Sequence, residues 1–431
     1  MTLASIVVSL FIFLCVIFLI FSEKLNRTIA SMAGAILMVI MGLVLNFYSE
    51  KQAVNTIDFN TLGLLLGMMI LVSVLEPTGF FQYLAISVGK LSKGKPVRML
   101  LFLGSITTIV SMVLDNVTTV VLIAPVTILL CEILGINAQP YLMAEALLSD
   151  TGGVATLVGD PPNILIGSAA GFTFLDFLTH SLPIVLIVWF SALGILLFLF
   201  RKELKQEPRE LDALMELNPK DALKDPKSTR SILIIIAVMI LLFMLEEWLR
   251  ISPALVALGG AAATLIWVRP SVVETLKRVQ WEVLIFFGAL FVVLGGLESA
   301  GVFDRFIDFA GMVKGLPPVV LGLIILWVVA LLSMVVDNVP ITIALIPVIQ
   351  SFGSIGIPTN ALWWALVFGA GFGGNGTIIG STANIVVSSL SEKTRNPITP
   401  KIWSKRGLPV MIGTTLVASL CYIFLFNFLN R

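Results

Sequence analysis

The chain has 431 residues, 58% of them hydrophobic and only 12% charged, with a net charge of +1 and a mean hydropathy of +1.04. Soluble domains carry about 25% charged residues, so a soluble fold is excluded, and no basic cluster or glycine-rich phosphate loop points to nucleic acid or nucleotide. Apolar runs of about 20 residues, the length that spans the hydrocarbon core, recur from end to end and predict an all-α polytopic membrane protein.

The first run, Leu3–Phe21, lacks a preceding basic residue and a small-residue cleavage site, which predicts a retained span and not a signal peptide. Runs follow at Thr28–Asn46 and Thr61–Leu75, then Glu76-Pro-Thr-Gly79 and an amphipathic stretch to Lys90. Val97–Leu134 is apolar but broken at Asp115-Asn116, which predicts a re-entrant hairpin. Pro140–Gly171 is broken at Thr-Gly-Gly and again at Gly-Asp-Pro-Pro-Asn (Gly159–Asn163). A sixth run spans Ser181–Phe200. Arg201–Arg230 is polar, with 8 basic and 7 acidic residues, and predicts a solvated linker. The pattern then restarts at Ser231–Trp248, Ser252–Val268 and Glu282–Leu297. A second hairpin, Pro317–Gln350, breaks at Asp337-Asn338. A second interrupted span, Asn360–Leu390, breaks at Gly-Gly-Asn-Gly-Thr and Gly380–Asn384, and the last run is Gly407–Phe428. Cys15, Cys131 and Cys421 lie far apart in apolar runs and read as packing residues. The lone His180 falls at a predicted membrane boundary.

The halves are related. Ser111–Val126 and Ser333–Val348 are identical at half of their aligned positions, and the similarity extends through most of each half at a nearly constant offset. Thr156 pairs with Thr377, Gly159 with Gly380 and Asn163 with Asn384. Each half is predicted to have five crossings and one hairpin that does not cross. Five is odd, so the second half is expected upside down: residues 1–200 form one inverted repeat, 201–230 the linker and 231–431 the other. Inverted repeats with broken helices are a mark of secondary transporters. With the N-terminus outside, the inside loops, from Lys24 and Arg27 to Lys393–Arg406, hold 22 of the 27 Lys and Arg residues. That bias predicts both termini outside and the linker cytoplasmic.

Two hairpin tips and two interrupted spans are expected to converge near the midplane. Irregular backbone at that depth is tolerated only when buried in protein or lining a cavity. Asn116 and Asn338 are good N-cap types. Thr118, Thr151, Thr156, Asn163, Thr342, Asn375, Thr377, Ser381, Thr382 and Asn384 add neutral donors and acceptors. Asp115, Glu145, Asp150, Asp160 and Asp337 are acids within the broken segments, and no Lys or Arg falls within a predicted crossing. A central Asp costs about 2.5–3.5 kcal/mol on insertion scales, so such groups are protonated or paired with a cation, which suits proton or sodium coupling. Asp115 and Asp337 are repeat partners, but Asp150 pairs with Gly371 and Asp160 with Ser381. The alternative is that these residues only cap and pack broken helices.

The paired Asn-bearing tips and the spans ending Gly-Asp-Pro-Pro-Asn or Gly-Ser-Thr-Ala-Asn resemble the ion transporter superfamily over nearly the whole chain. The resemblance implies scaffold and transport domains, elevator-type exchange and a homodimer. Dicarboxylate and citrate members carry Ser-Asn-Thr tips and Gly-Thr-Pro-Pro-Asn. The Asp-Asn tips here, and Asp160 in place of Thr, look closer to the branch of arsenite permeases, sodium/proton antiporters of the NhaD type and the melanosomal P protein.

These readings predict a secondary transporter in the cytoplasmic membrane, with arsenite or antimonite efflux coupled to H+ as the leading reading. Arsenite is a small neutral trihydroxy acid that hydroxyl, amide and carboxylate groups can hydrogen-bond. Sodium/proton antiport and anion transport are the alternatives, and a channel is a different class. No cofactor or metal is expected, nor an enzyme, because no nucleophile–base set or metal-ligand spacing is found. The expected partners are the bilayer, a small inorganic solute, a second copy of the chain and an ArsA-type ATPase subunit, with no nucleic acid.

Overall fold

The computed structural model describes residues 2–21, 25–302 and 315–430; Lys24 of the first inside loop lies outside them. The first half holds α1 (Leu3–Phe21), α2 (Arg27–Val44), α3 (Phe59–Leu75), α4 (Phe80–Leu91), α5 (Pro96–Ser111), α6 (Asn116–Leu134), α7 (Gln139–Gly153), α8 (Pro161–Ala170) and α9 (Leu182–Leu199). After the short linker helix α10 (Leu211–Glu216) come α11 (Pro226–Met244), α12 (Pro253–Val268), α13 (Trp281–Ser299), α14 (Pro318–Ser333), α15 (Asn338–Ser354), α16 (Asn360–Gly373), α17 (Thr382–Ser391) and α18 (Pro400–Phe424). Among the described residues 8 helices are long and apolar enough to cross a membrane. Pro96 and Pro318, Asn116 and Asn338, Gln139 and Asn360, Pro161 and Thr382 open matching helices, so the offset seen in the sequence is kept in the helix starts.

The chain divides into two compact units. One comprises Met1–Val74, Ile234–Leu316 and Ala344–Thr359. In it α2 lies along α13, tied by Thr28 Oγ1 to Glu282 O (3.0 Å) and by Tyr48 OH to Val292 O (3.1 Å). Small residues allow close helix approach, as in other membrane proteins: a Cβ on Gly67 of α3 would lie 2.4 Å from the carbonyl carbon of Ala257 in α12.

The other unit comprises Leu75–Leu233, Pro317–Ile343 and Asn360–Arg431. Within it α5 packs on α7 and α14 on α16. Most of the linker is exposed, in keeping with its balanced charge, but it is also docked at several points. Leu214 is fully buried, Arg209 N donates to Leu134 O (2.9 Å), and Lys224 N donates to Thr78 O (2.8 Å). Lys90 Nζ donates to Met215 O and Leu217 O (2.7 and 2.6 Å), a cation closing the C-terminus of α10. Gly79, at φ +82°, passes so close to this segment that a Cβ would sit 1.9 Å from Ala222 O. Two buried leucines, Leu204 and Leu214, and these hydrogen bonds dock an otherwise polar segment.

Further boundaries differ from the sequence reading. The last helix begins at Pro400, not Gly407. Thr399 caps it, accepting from Ile402 N, and it takes in Lys401, Lys405 and Arg406. Arg406 is accommodated because it pairs with Glu203 (2.7 Å). The helix of the first broken span runs through Thr151-Gly152-Gly153, and the break is Val154–Asp160. His180 sits in a π-helical turn, stacked on Trp364 and Phe428 (centroids 5.5 and 4.6 Å).

Both breaks are held by the same clamp. Asn163 Nδ2 donates to Gly153 O (2.9 Å) and Thr156 O (2.8 Å); Asn384 Nδ2 donates to Gly374 O (2.9 Å) and Thr377 O (3.0 Å). Thr156 and Thr377 hydroxyls donate to Met112 O and Met334 O, fastening each break to the adjoining hairpin. Gly159 and Gly380 cross Gly153 and Gly374 so closely that a Cβ on either would lie 2.5 Å from a carbonyl oxygen. Removing one clamp amide strands two buried carbonyls, at about 1–3 kcal/mol for each group left unpaired. Asn163→Ala and Asn384→Ala are therefore expected to lower the midpoint of thermal unfolding in detergent by several degrees; unchanged midpoints in both would contradict the clamp.

Candidate functional site

Every candidate site residue named from the sequence lies in the second unit. At the first tip, α5 ends at Ser111 and α6 starts at Asn116. Asp115, not Asn116, is the N-cap: its Oδ1 accepts from Thr118 N (2.8 Å) and its Oδ2 from Thr118 Oγ1 (2.6 Å). This frees the Asn116 side chain, whose Nδ2 donates to Asp150 Oδ1 (2.7 Å). At the second tip Asn338 is likewise the first helical residue, and its Nδ2 donates to Asp160 Oδ2 (2.9 Å). Asp337 Oδ2 accepts from Thr382 Oγ1 (3.0 Å), tying that tip to α17.

The two halves interlock through the acids. Ser381, repeat partner of Asp160 and N-cap of α17, donates from its Oγ to Asp150 Oδ1 (3.0 Å). Asp150 thus receives one donor from each half, and Asp160 of the first half receives the tip amide of the second. Asn116, Asp150, Asp160, Asn338 and Ser381 are all buried, while Asp115 and Asp337 are half-buried. The charges of Asp115, Asp150 and Asp337 all reach Asp160. Neither Asp150 nor Asp160 is hydrogen-bonded to Lys, Arg or His among the described residues. Like charges this close, out of water, need a proton or a cation between them.

Three buried acceptor oxygens of this region have no partner among the described residues: Asp150 Oδ2, Asn375 Oδ1 and Asn384 Oδ1. Asn375 reaches the first half through its Nδ2, 3.4 Å from Thr151 Oγ1, and its backbone carbonyl accepts from Trp403 Nε1 (3.1 Å). An orphaned acceptor is costly, and a solute that donates O–H groups or a bare cation would relieve it.

The structure sorts the expected residues by job. Asn116, Asp150, Asp160, Asn338, Ser381, Thr382, Asp337, Thr151 and Asn375 are connected around the acids. Thr156, Asn163, Thr377 and Asn384 hold the breaks. Thr118 belongs to the cap of α6, and Thr342 returns its hydroxyl to Asn338 O (2.8 Å). Sequence reasoning passed over Ser149, whose Oγ donates to Ser111 Oγ (3.1 Å) and Asn116 O (3.3 Å), and Trp403, which it assigned to a loop. Its position before Asp150 was the one signal for Ser149. Trp403 had none. Among the described residues no group of three or more His, Cys, Asp and Glu side chains could hold a metal ion.

Comparison with known proteins agrees with this architecture. Residues 17–369 match the citrate transporter family, CitMHS. The chain is 38% identical to a 46 kDa membrane protein of Mycobacterium leprae, over 97% of this chain and 98% of that one. It is 33% identical to an uncharacterized transporter of Synechocystis, over 96% of each. The human P protein is 30% identical over 94% of this chain and 58% of its own length. The Alcanivorax borkumensis YdaH transporter superposes with a TM-score of 0.65 at 15% identity, covering 94% of this chain and 99% of its own, so the fold is shared. The chain belongs to the citrate transporter family of the ion transporter superfamily and is a multi-pass membrane transporter.

Proposed function

We propose that the chain is a secondary active transporter that couples proton movement on Asp150 to passage of a small hydroxyl-bearing solute, with arsenite and antimonite as the type. One observation carries the reading. Asp150 Oδ1 takes donors from both halves, whereas its buried Oδ2 has no partner among the described residues. A neutral trihydroxy acid offers O–H donors to such an oxygen and asks for no cationic residue. A free carboxylate solute would instead meet Asp150 and Asp160 with like charge. Efflux is the proposed direction, by elevator-type motion: all the site residues belong to one compact unit, so moving that unit as a body would carry the site intact. The same unpartnered oxygens favour sodium/proton antiport as the second reading, because hard cations take oxygen ligands.

Asn116→Ala and Asn338→Ala each remove a charge-assisted hydrogen bond worth about 1.5–3 kcal/mol. Each is expected to weaken solute binding by roughly tenfold or more while the protein still folds; wild-type transport by both would refute the two-tip site. Asp150→Asn keeps the hydrogen bonds but cannot carry a proton. It is expected to exchange solute down its gradient and to lose accumulation driven by an imposed pH gradient, and undiminished accumulation would exclude Asp150 as the carrier. We also propose that the linker faces the cytoplasm. A cysteine replacing the exposed Asp212, with Cys15, Cys131 and Cys421 removed, should react with an impermeant reagent only from that side; labelling from outside inverts the topology.

A further inference from the structure

The seam between α6 and α7 stays polar far beyond the tip. Asn116, Thr119, Ile123 and Thr127 recur at three- and four-residue intervals, which aligns them on one face of α6. Facing them on α7 are Glu145, Ser149 and Asp150. Asn116 bonds Asp150, Ser149 bonds Asn116 O, and Thr127 Oγ1 bonds Glu145 Oε1. All these polar side chains are buried. Three of their atoms, Thr119 Oγ1, Glu145 Oε2 and Asp150 Oδ2, have no partner among the described residues.

The fold does not need this polarity. Thr119, Thr127, Glu145, Ser149 and Asp150 correspond by the repeat to Ile341, Ile349, Leu366, Ala370 and Gly371. Beyond the tip asparagine, these five positions are apolar in one copy and carry hydroxyls or carboxyls in the other. At the end away from the tip lies a cavity of about 610 Å³, lined by Ile128, Cys131 and Glu132 of α6 together with Gln206 and Arg209 of the linker and Arg395. Thr127 is next to Ile128, and Cys131 is within electrostatic range of Glu145.

Few charges face Glu145. On α6 and α7 its titratable neighbours are Cys131 and, around Cys131, Glu132 and Tyr141. Of the other helices packed on α7, α9, α16 and α17 carry no charged residue, and α5 carries only Arg98, in its first turn. The charges of α18, Lys401, Lys405 and Arg406, lie in its first two turns, where Arg406 is held by Glu203.

We propose that this seam is a proton path between the cavity and the transport site, with Glu145 as its relay. A hydronium ion in the cavity gives a proton to Glu145 and leaves as water. Glu145 passes that proton toward Asp150 through the Thr119 and Ser149 hydroxyls and bridging water, and is itself restored to accept the next. Glu145 and Asp150 are five residues apart, about 7.5 Å along the helix axis, a gap that one or two bridging groups can cover. The inference rests on Asp150 being the proton carrier, and its test separates the two ideas without any solute.

The full chain in lipid nanodiscs is subjected to a pH jump and followed by time-resolved infrared absorption of protonated carboxyl groups. The Asp150 signal is the component lost in Asp150→Asn. In Glu145→Gln, which preserves side-chain shape, that signal is expected to reach the same amplitude but at least about tenfold more slowly. Full amplitude at the unaltered rate overturns the relay and leaves Asp150 as carrier. Absence of an Asp150 signal in the intact protein overturns both. Should Glu145→Gln not fold, the near-isosteric Thr119→Val is expected to slow the same signal, and an unaltered rate there overturns the path.

Discussion

Backbone that leaves the helical conformation inside a membrane must still satisfy its N–H and C=O groups. The second unit meets this constraint four times, at two tips and two breaks, and the remaining structure follows from how it does so. Asn163 and Asn384 take over the carbonyls that the interrupted helices release. Asp115 takes over the N–H that opens α6. Because those positions absorb the backbone, the side-chain amides of Asn116 and Asn338 are left to donate to Asp150 and Asp160, and Ser381, which itself caps α17, still donates its O–H to Asp150. The candidate site built this way is neutral amide and hydroxyl around carboxyl, with no cation hydrogen-bonded to Asp150 or Asp160 among the described residues.

Symmetry explains the scaffold and its violation explains the chemistry. The clamps, the tip asparagines and the Gly–Gly crossings recur at matching places in the two halves because they solve the same folding problem twice. Asp150 and Asp160 do not recur; Gly371 and Ser381 stand in their places. At Gly371 any side chain would have to displace Val154, since a Cβ would lie 2.1 Å from Val154 Cγ2. Both acids belong to one half, and the other half supplies donors to them. The polar seam on α6 and α7 breaks the repeat in the same half, which fits a coupling ion reaching its carrier from one direction.

The tips and breaks were legible because Asp-Asn and Gly-Asp-Pro-Pro-Asn are out of place in apolar runs, and because each has a partner in the other half. The division of labour was not. Asp115 and Asn116 are both good N-caps, and only backbone geometry decides which one caps and which one reaches Asp150. Docking of the linker was hidden because the decisive groups, Leu214 and the Lys90 ammonium, carry no sequence signature of contact. The early start of α18 was hidden because Lys401, Lys405 and Arg406 read as loop, and the partner of Arg406, Glu203, lies far away in the chain. Glu145 was visible as an acid, but Thr127, which receives it, looked like any helix threonine.

The central claim is that solute and proton meet at Asp150. It is tested most directly by calorimetric titration of the purified protein with arsenite, and separately with sodium, in two buffers of different ionisation enthalpy at one pH. For one of the two solutes the binding heat is expected to differ between buffers, because binding changes the protons held by the protein, and the difference is expected to disappear in Asp150→Asn. Heats independent of buffer for both solutes, or a buffer difference that persists in Asp150→Asn, would contradict it.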